Sequence, residues 1–315
     1  MKNIREYLKD LKGPKPPAVK LRWILLAVAA AAGILTLAIA LSTGFNRTID
    51  RNQARINRFM SDYDEKKVYK LEKNLLSELA RTPRQGRKDR LCLLIGQLQF
   101  VKALHNDPQL KEIYLDAAIR YFGKSRLSRE VRTSAEALFW LGLCFYQKGD
   151  YYHPTAINHL IEALRGGFQD KLKILKILNY IYLKNRDFDV IIGINQEFLK
   201  NGYYDGDVVY SLGKAYRELG RPREAEQVLG LVDRLDAERD RHIIRYILFE
   251  LAETRFQLAE YAAAADAYER CLRSAPDPEN DEFVKPAQDR LAVCRERTGA
   301  KTETAPDQPV KENRP

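Results

Sequence analysis

The chain has 315 residues, of which 45% are hydrophobic and 30% charged, and its net charge is +10. That balance excludes a disordered chain, and the length leaves room for more than one domain. The basic excess by itself admits nucleic acid, an anionic membrane surface or an acidic protein as partner.

Residues 1–22 carry seven Lys and Arg against Glu6 and Asp10, and GPKPP at 13–17 stops any helix. From Trp23 to Phe45 there are 23 residues without a charge. At about 1.5 Å per residue, such a helix spans the roughly 30 Å hydrocarbon core with an aromatic residue at each interface. The alternative is a signal peptide cut near Ala38 or Ala40; the length of the apolar run and of the basic leader argues against it. Four positive charges follow the run closely, Arg47, Arg51, Arg55 and Arg58, against the seven before it. This bias predicts a single-pass inner (cytoplasmic) membrane protein with its N-terminus in the cytoplasm and the remainder, in a bacterium, in the periplasm.

Residues 46–81 contain no Pro or Gly, and Ile49, Ile56 and Tyr63 fall at seven-residue spacing ahead of Leu71, Leu75 and Leu79. They predict one long helix, a stalk or linker over 46–85 that either leaves the membrane or packs back on the next hairpin. The heptad also offers a homodimer by coiled coil through 46–63. After a loop at 82–88, residues 89–124 read as a helical hairpin. Leu94 and Gly96 stand in its first helix, and Tyr114, Ala117, Ala118 and Tyr121 in its second.

Four further helix–turn–helix registers follow. The clearest runs from Asp205 to Val232: Val209, Leu212 and Tyr216 form a stripe, Gly213 admits a close neighbour, and Gly220 and Pro222 make the turn. Ala225 and Leu229 then face back. The register before it departs from this order at Asn179 and Ile191, which predicts a wider spacing of its two helices. The leucines that precede the small residue are Leu141, Leu178, Leu212 and Leu251, at spacings of 37, 34 and 39. This order of residues, at this period, resembles the tetratricopeptide repeat (TPR) family over residues 135–276. The resemblance implies an all-α fold, a TPR-type α-solenoid of four to five helical hairpins over 86–298 behind the transmembrane helix. A last helix over 283–297, with Phe283, Ala287, Leu291 and Cys294 as its apolar stripe, would cap the open end. Residues 299–315 are polar and read as a disordered tail. Cys92, Cys144, Cys271 and Cys294 form no CxxC pair, which argues against a zinc site, and they read as buried small hydrophobes. Cys271 with Cys294 is the one disulfide the layout leaves open.

No HExxH, GxGxxG, P-loop or GxSxG pattern occurs, so neither catalysis nor a cofactor nor a metal is expected, and the positive charge has no nucleic-acid motif behind it. In the TPR family the first helix of each hairpin lines the concave face. Carried over repeat by repeat, the resemblance assigns Phe139, Leu143 and Tyr146, then Lys173, Lys176, Tyr180 and Lys184. Tyr210, Lys214 and Arg217 follow, and lastly Phe249, with Glu253 and Gln257 beside it. Aromatic and cationic groups in this order imply a protein partner, a peptide or helix of some acidic character. The layout resembles membrane-anchored TPR proteins of bacterial envelopes. It implies a non-enzymatic scaffold or adaptor in secretion, envelope assembly, division or a flagellar motor. The alternative is a chaperone-like receptor for clients at a translocation pore.

Overall fold

A computed structural model describes residues 43–274 and 282–299. The basic leader, the uncharged run up to residue 42 and the tail from 300 lie outside them. The described residues are helical with no strand, and the chain divides into two compact units, the first ending at Gly167 and the second starting at Phe168. No described helix is long and apolar enough to cross a membrane.

The first unit contains α1 (43–61), α2 (Glu65–Arg81), α3 (Gln85–Leu104), α4 (Pro108–Ser125), α5 (Val131–Gln147) and α6 (His153–Arg165). The single helix expected over 46–81 is therefore two. Residues 62–64 leave the helical path without Gly or Pro, and the Asp64 carboxylate accepts the Lys67 N–H to start α2. Nor is this segment a free stalk. Ile56 and Phe59 of α1 and Val68, Leu71 and Leu75 of α2 close on Leu91, Leu94, Ile95 and Leu98 of α3, with Ile49 and Tyr63 at the rim. The stripe that a homodimer would need is thus spent on the chain's own core.

The unit is built on α3. Its sequence LCLLIGQLQFVKAL is apolar on every side, which suits a helix covered all round. The flank opposite α1 and α2 packs Leu93, Phe100 and Ala103 against Leu115, Ala118 and Phe122 of α4 and Ala137, Leu141 and Cys144 of α5. Of the four α4 residues singled out in the sequence, only Ala118 is fully buried; Tyr114, Ala117 and Tyr121 lie beside the stripe, half-buried.

Glu130, just before α5, ties three helices. Arg90 of α3 donates to it through Nε at 2.7 Å and through Nη2, Thr133 Oγ1 donates at 2.7 Å, and Arg90 Nη1 reaches Asn46 of α1 at 2.8 Å. The Arg90 hydrogen bonds, working against burial and joined by Thr133, hold the Glu130 carboxyl below the ordinary carboxylate range. A lowered carboxyl contributes stability above its unfolded value, here 4.5, and loses it as pH falls through the folded value. Urea midpoints are therefore expected to separate wild type from Glu130→Gln at pH 7, and the gap to shrink as the pH is lowered below 4.5. A gap of unchanged size over that range would remove Glu130 as the acid-sensitive tie.

The second unit contains α7 (Lys171–Asn185), α8 (Phe188–Lys200), α9 (Gly206–Glu218), α10 (Pro222–Leu229), α11 (Arg241–Gln257), α12 (Tyr261–Arg273) and α13 (Val284–Thr298). One turn recurs in it. Arg186, Gly220 and Ala259 take left-handed φ values of 62°, 69° and 59°. In each case the next N–H donates to the carbonyl five residues back: Asp187 to Tyr182, Arg221 to Tyr216, Glu260 to Arg255. The turns are 34 and 39 residues apart, as are Leu178, Leu212 and Leu251, so the sequence period is a backbone period.

The crossings also recur. A Cβ on Gly213 would lie 2.4 Å from Leu229 Cγ; on Gly142, 2.6 Å from Leu160 Cγ; and on Gly96, 2.6 Å from a carbon of the Phe122 ring. Fully buried Ala252 takes this place on α11. The α7–α8 hairpin is the exception that Asn179 foretold. There the buried Asn179 and Asn195 amides exchange two hydrogen bonds, of 3.0 and 2.8 Å, where other hairpins cross on a small residue. The reciprocal pair satisfies both amides without water. α13 closes the unit as expected, burying Ala287, Leu291 and Cys294. Cys271 and Cys294 are both free and buried, so no disulfide joins them, and burial raises the Cys294 thiol.

Candidate protein-binding face

In the second unit the first helices of successive hairpins are neighbours, α7 beside α9 and α9 beside α11. Their outward side chains meet across both seams. At the first seam, Lys176 Nζ of α7 lies 2.7 Å from Asp207 and 3.3 Å from Asp205 at the start of α9. At the second, Glu250 of α11 accepts Arg217 Nε at 2.6 Å and faces Lys214 Nζ at 3.4 Å. Lys214 also donates to the Tyr210 hydroxyl at 3.1 Å, and the Tyr210 ring meets Tyr246 edge-on at 5.9 Å. Tyr246 and Phe249 in turn hold Phe283, ahead of the cap helix, at 5.0 and 4.7 Å.

Beneath the face, Asp240 sets the relation of α9 to α11. Its carboxylate is fully buried, takes Arg239 Nη2 at 2.7 Å and accepts the Gly206 N–H at 3.3 Å. Burial alone would raise this carboxyl; the Arg239 and Gly206 hydrogen bonds outweigh it and hold it below the usual range. A side chain on Gly206 would run into Ile243, so the two helix starts can approach only with glycine there.

The fold thus gathers Tyr210, Lys214, Arg217 and Phe249 into one network at the second seam and sets Lys176 at the first, and Tyr180 stands on α7, 52% exposed. Lys173 and Lys184 are exposed near the two ends of α7, Lys173 beside Asp170 at 3.0 Å. Glu253 accepts the Tyr268 hydroxyl and pairs with Arg290 at 3.4 Å, while Gln257 is exposed. The three residues assigned in the first unit form no such network. Phe139 is 6% exposed and packs edge-on against Trp140, so it serves the core rather than a surface. Leu143 leans half-buried on the same core, and Tyr146 stacks on His153.

The family resemblance places Lys176, Lys214 and Arg217 on the partner-binding face. In the fold each holds a carboxylate. The missed partners, Asp207 and Glu250, lie 31 and 33 residues beyond Lys176 and Arg217, close to one repeat period. A cation followed one period later by an acid is the signal that could have found them. The pairing also raises Lys214: burial would lower its ammonium, and Glu250 and Tyr210 outweigh that.

Residues 206–239 and 246–278 each match the family model described as tetratricopeptide repeat. Both stretches are similar to tetratricopeptide repeats. They cover α9 with α10 and, from residue 246 on, α11 with α12, so the Arg217–Glu250 seam joins the first helices of the two matched repeats. Repeats of this family generally act as protein-interaction modules without chemistry of their own. No curated protein matches the chain.

Proposed function

We propose that the chain is a non-enzymatic adaptor that binds a segment of a partner protein along α7, α9 and α11. In this reading the uncharged run at 23–45 anchors it in a membrane, as part of an envelope assembly. One observation carries the binding reading: the first helices of three successive hairpins, two of them in matched repeats, share a face of rings, hydroxyls and charges that water still reaches. Such a mixture suits an extended or helical peptide. An acidic partner is supported by Lys173 and Lys184, exposed on α7; the Lys173 pair with Asp170 is open to solvent and easily exchanged. Toward Lys176, Lys214 and Arg217 the partner would compete with the chain's own carboxylates. The anchor and an N-terminus in the cytoplasm rest on 23 uncharged residues and on seven positive charges before them against four after.

The test is in-cell photo-crosslinking from position 180, with exposed Gln227 on α10 as control. One dominant protein crosslinked at 180 and absent at 227 is the expected result. A spread of many clients would transfer the chain to the chaperone-like class, and no signal above the control would exclude this face.

A further inference from the structure

The first unit holds a cationic feature that the protein-binding face does not use. Phe45 and Asn46 stand where the uncharged run ends, and they line a cleft of about 310 Å3 together with Arg84, Arg87, Arg90 and Glu130. The Arg87 guanidinium lies over the Phe45 ring at 4.6 Å. Arg90 is committed to Glu130 and Asn46, whereas Arg84, the residue before α3, is exposed. The cleft also meets the start of α3, which no side chain caps. The first amides of a helix have no partner within it and carry the positive end of its dipole. Gly86 lines the cleft, and nothing stands within 4 Å of where its Cβ would be.

We infer that this cleft takes the phosphodiester headgroup of an anionic phospholipid at the membrane surface from which the chain emerges. The inference rests on the anchor reading proposed above. If residues 23–45 span the bilayer, Phe45 sits at the interface, and a guanidinium held on its ring is at headgroup depth. An arginine fork matches two phosphate oxygens, and Arg84 and Arg87 bracket the Gln85 and Gly86 amides at the start of α3, ahead of the Arg87 and Lys88 amides that donate to the Arg84 carbonyl. Neither arginine belongs to the four positive charges that follow the run in sequence; folding brings them there. The lipid would fix how the first unit stands on the membrane, which a single-helix tether leaves open.

The full chain is placed in nanodiscs of phosphatidylcholine alone or mixed with phosphatidylglycerol. Hydrogen exchange is followed at Gln85 and Gly86. Phosphatidylglycerol is expected to slow exchange there about tenfold, and Arg84→Gln/Arg87→Gln to abolish the slowing, since two surface arginines contribute about thirtyfold in headgroup affinity. Arg84→Gln alone, at an exposed position, should weaken the effect without disturbing the fold, and Lys9→Gln/Lys12→Gln in the basic leader should leave it intact. A chain that enters both bilayers but exchanges equally in them overturns the headgroup inference and spares the anchor. A chain that enters neither overturns both. Equal slowing by dissolved glycerol 3-phosphate in phosphatidylcholine discs would give the cleft to a free phosphate ester and overturn the lipid assignment.

Discussion

Gly213→Ala is expected to destabilise the second unit, against the direction that helix propensity sets. In an open helix the change gains about 1 kcal/mol. Here the new methyl would lie 2.4 Å from Leu229 Cγ and Cδ2 and 3.1 Å from Cδ1, and Leu229 is itself fully buried, so it must shift inside a packed core. Overpacking of this kind costs about 1–3 kcal/mol beyond what propensity returns. Leu229→Ala removes a fully buried side chain and should cost about 2–5 kcal/mol. The informative measurement is the double variant. With Leu229 cut back, the methyl introduced at position 213 loses the three atoms that crowd it most and its propensity gain is realised, so the pair should fall short of the summed losses by about 1 kcal/mol or more. Urea denaturation of the four proteins closes the cycle. Simple additivity, or a stabilising Gly213→Ala, would mean that α9 and α10 do not cross at this glycine.

The same crossing shows what the sequence made legible. Gly213, Gly142 and Gly96 were readable because a helix pair can approach closely only where a side chain is missing, and Leu229, Leu160 and Phe122 fill the space from the other helix. The turns were readable at Gly220 but not at Arg186 or Ala259, which adopt the same left-handed geometry with no residue type to announce it. The break at 62–64 was hidden for a related reason: an aspartate cap starts α2 without any helix breaker before it. Stripes were readable to within about one residue, since neighbours on a helix differ by about 100°. That is why α4 was read through Tyr114 and Tyr121 while the core takes Leu115 and Phe122. Phe139 failed differently. α5 is covered by neighbours on more than one flank, so its buried arc is wider than a single amphipathic stripe and includes the residue assigned to the surface. The charge pairs of the candidate face lie in successive repeats, where no local pattern of i and i+4 reports them.

Replacing Glu250 by Gln is the change expected to act on fold and face together. Glu250 is 4% exposed and is shared by Arg217 and Lys214 across the seam of the two matched repeats. Removing one partner of a buried pair costs about 3–5 kcal/mol, because the remaining charge keeps its desolvation and loses its compensation. Arg217 and Lys214 retain 17% and 33% of their side-chain exposure. Water therefore recovers part of that loss, and about 2–3 kcal/mol is the expected destabilisation. If the uncompensated cations are its cause, Arg217→Gln added to Glu250→Gln should restore part of the stability rather than add to the loss. The face responds in the opposite sense. Glu250→Gln leaves the neighbours in place, frees Lys214 of its carboxylate and leaves Arg217 only Glu218, at 3.0 Å, so a decaglutamate peptide should bind more tightly to the variant than to wild type, by a margin that shrinks as salt is raised. Tighter binding with lower stability would identify the Arg217–Glu250 pair as an internal stand-in for an acidic partner. Lower stability with no change in binding would confine the pair to holding α9 on α11, and the partner would then be sought by its apolar contacts with Tyr180, Tyr210 and Tyr246.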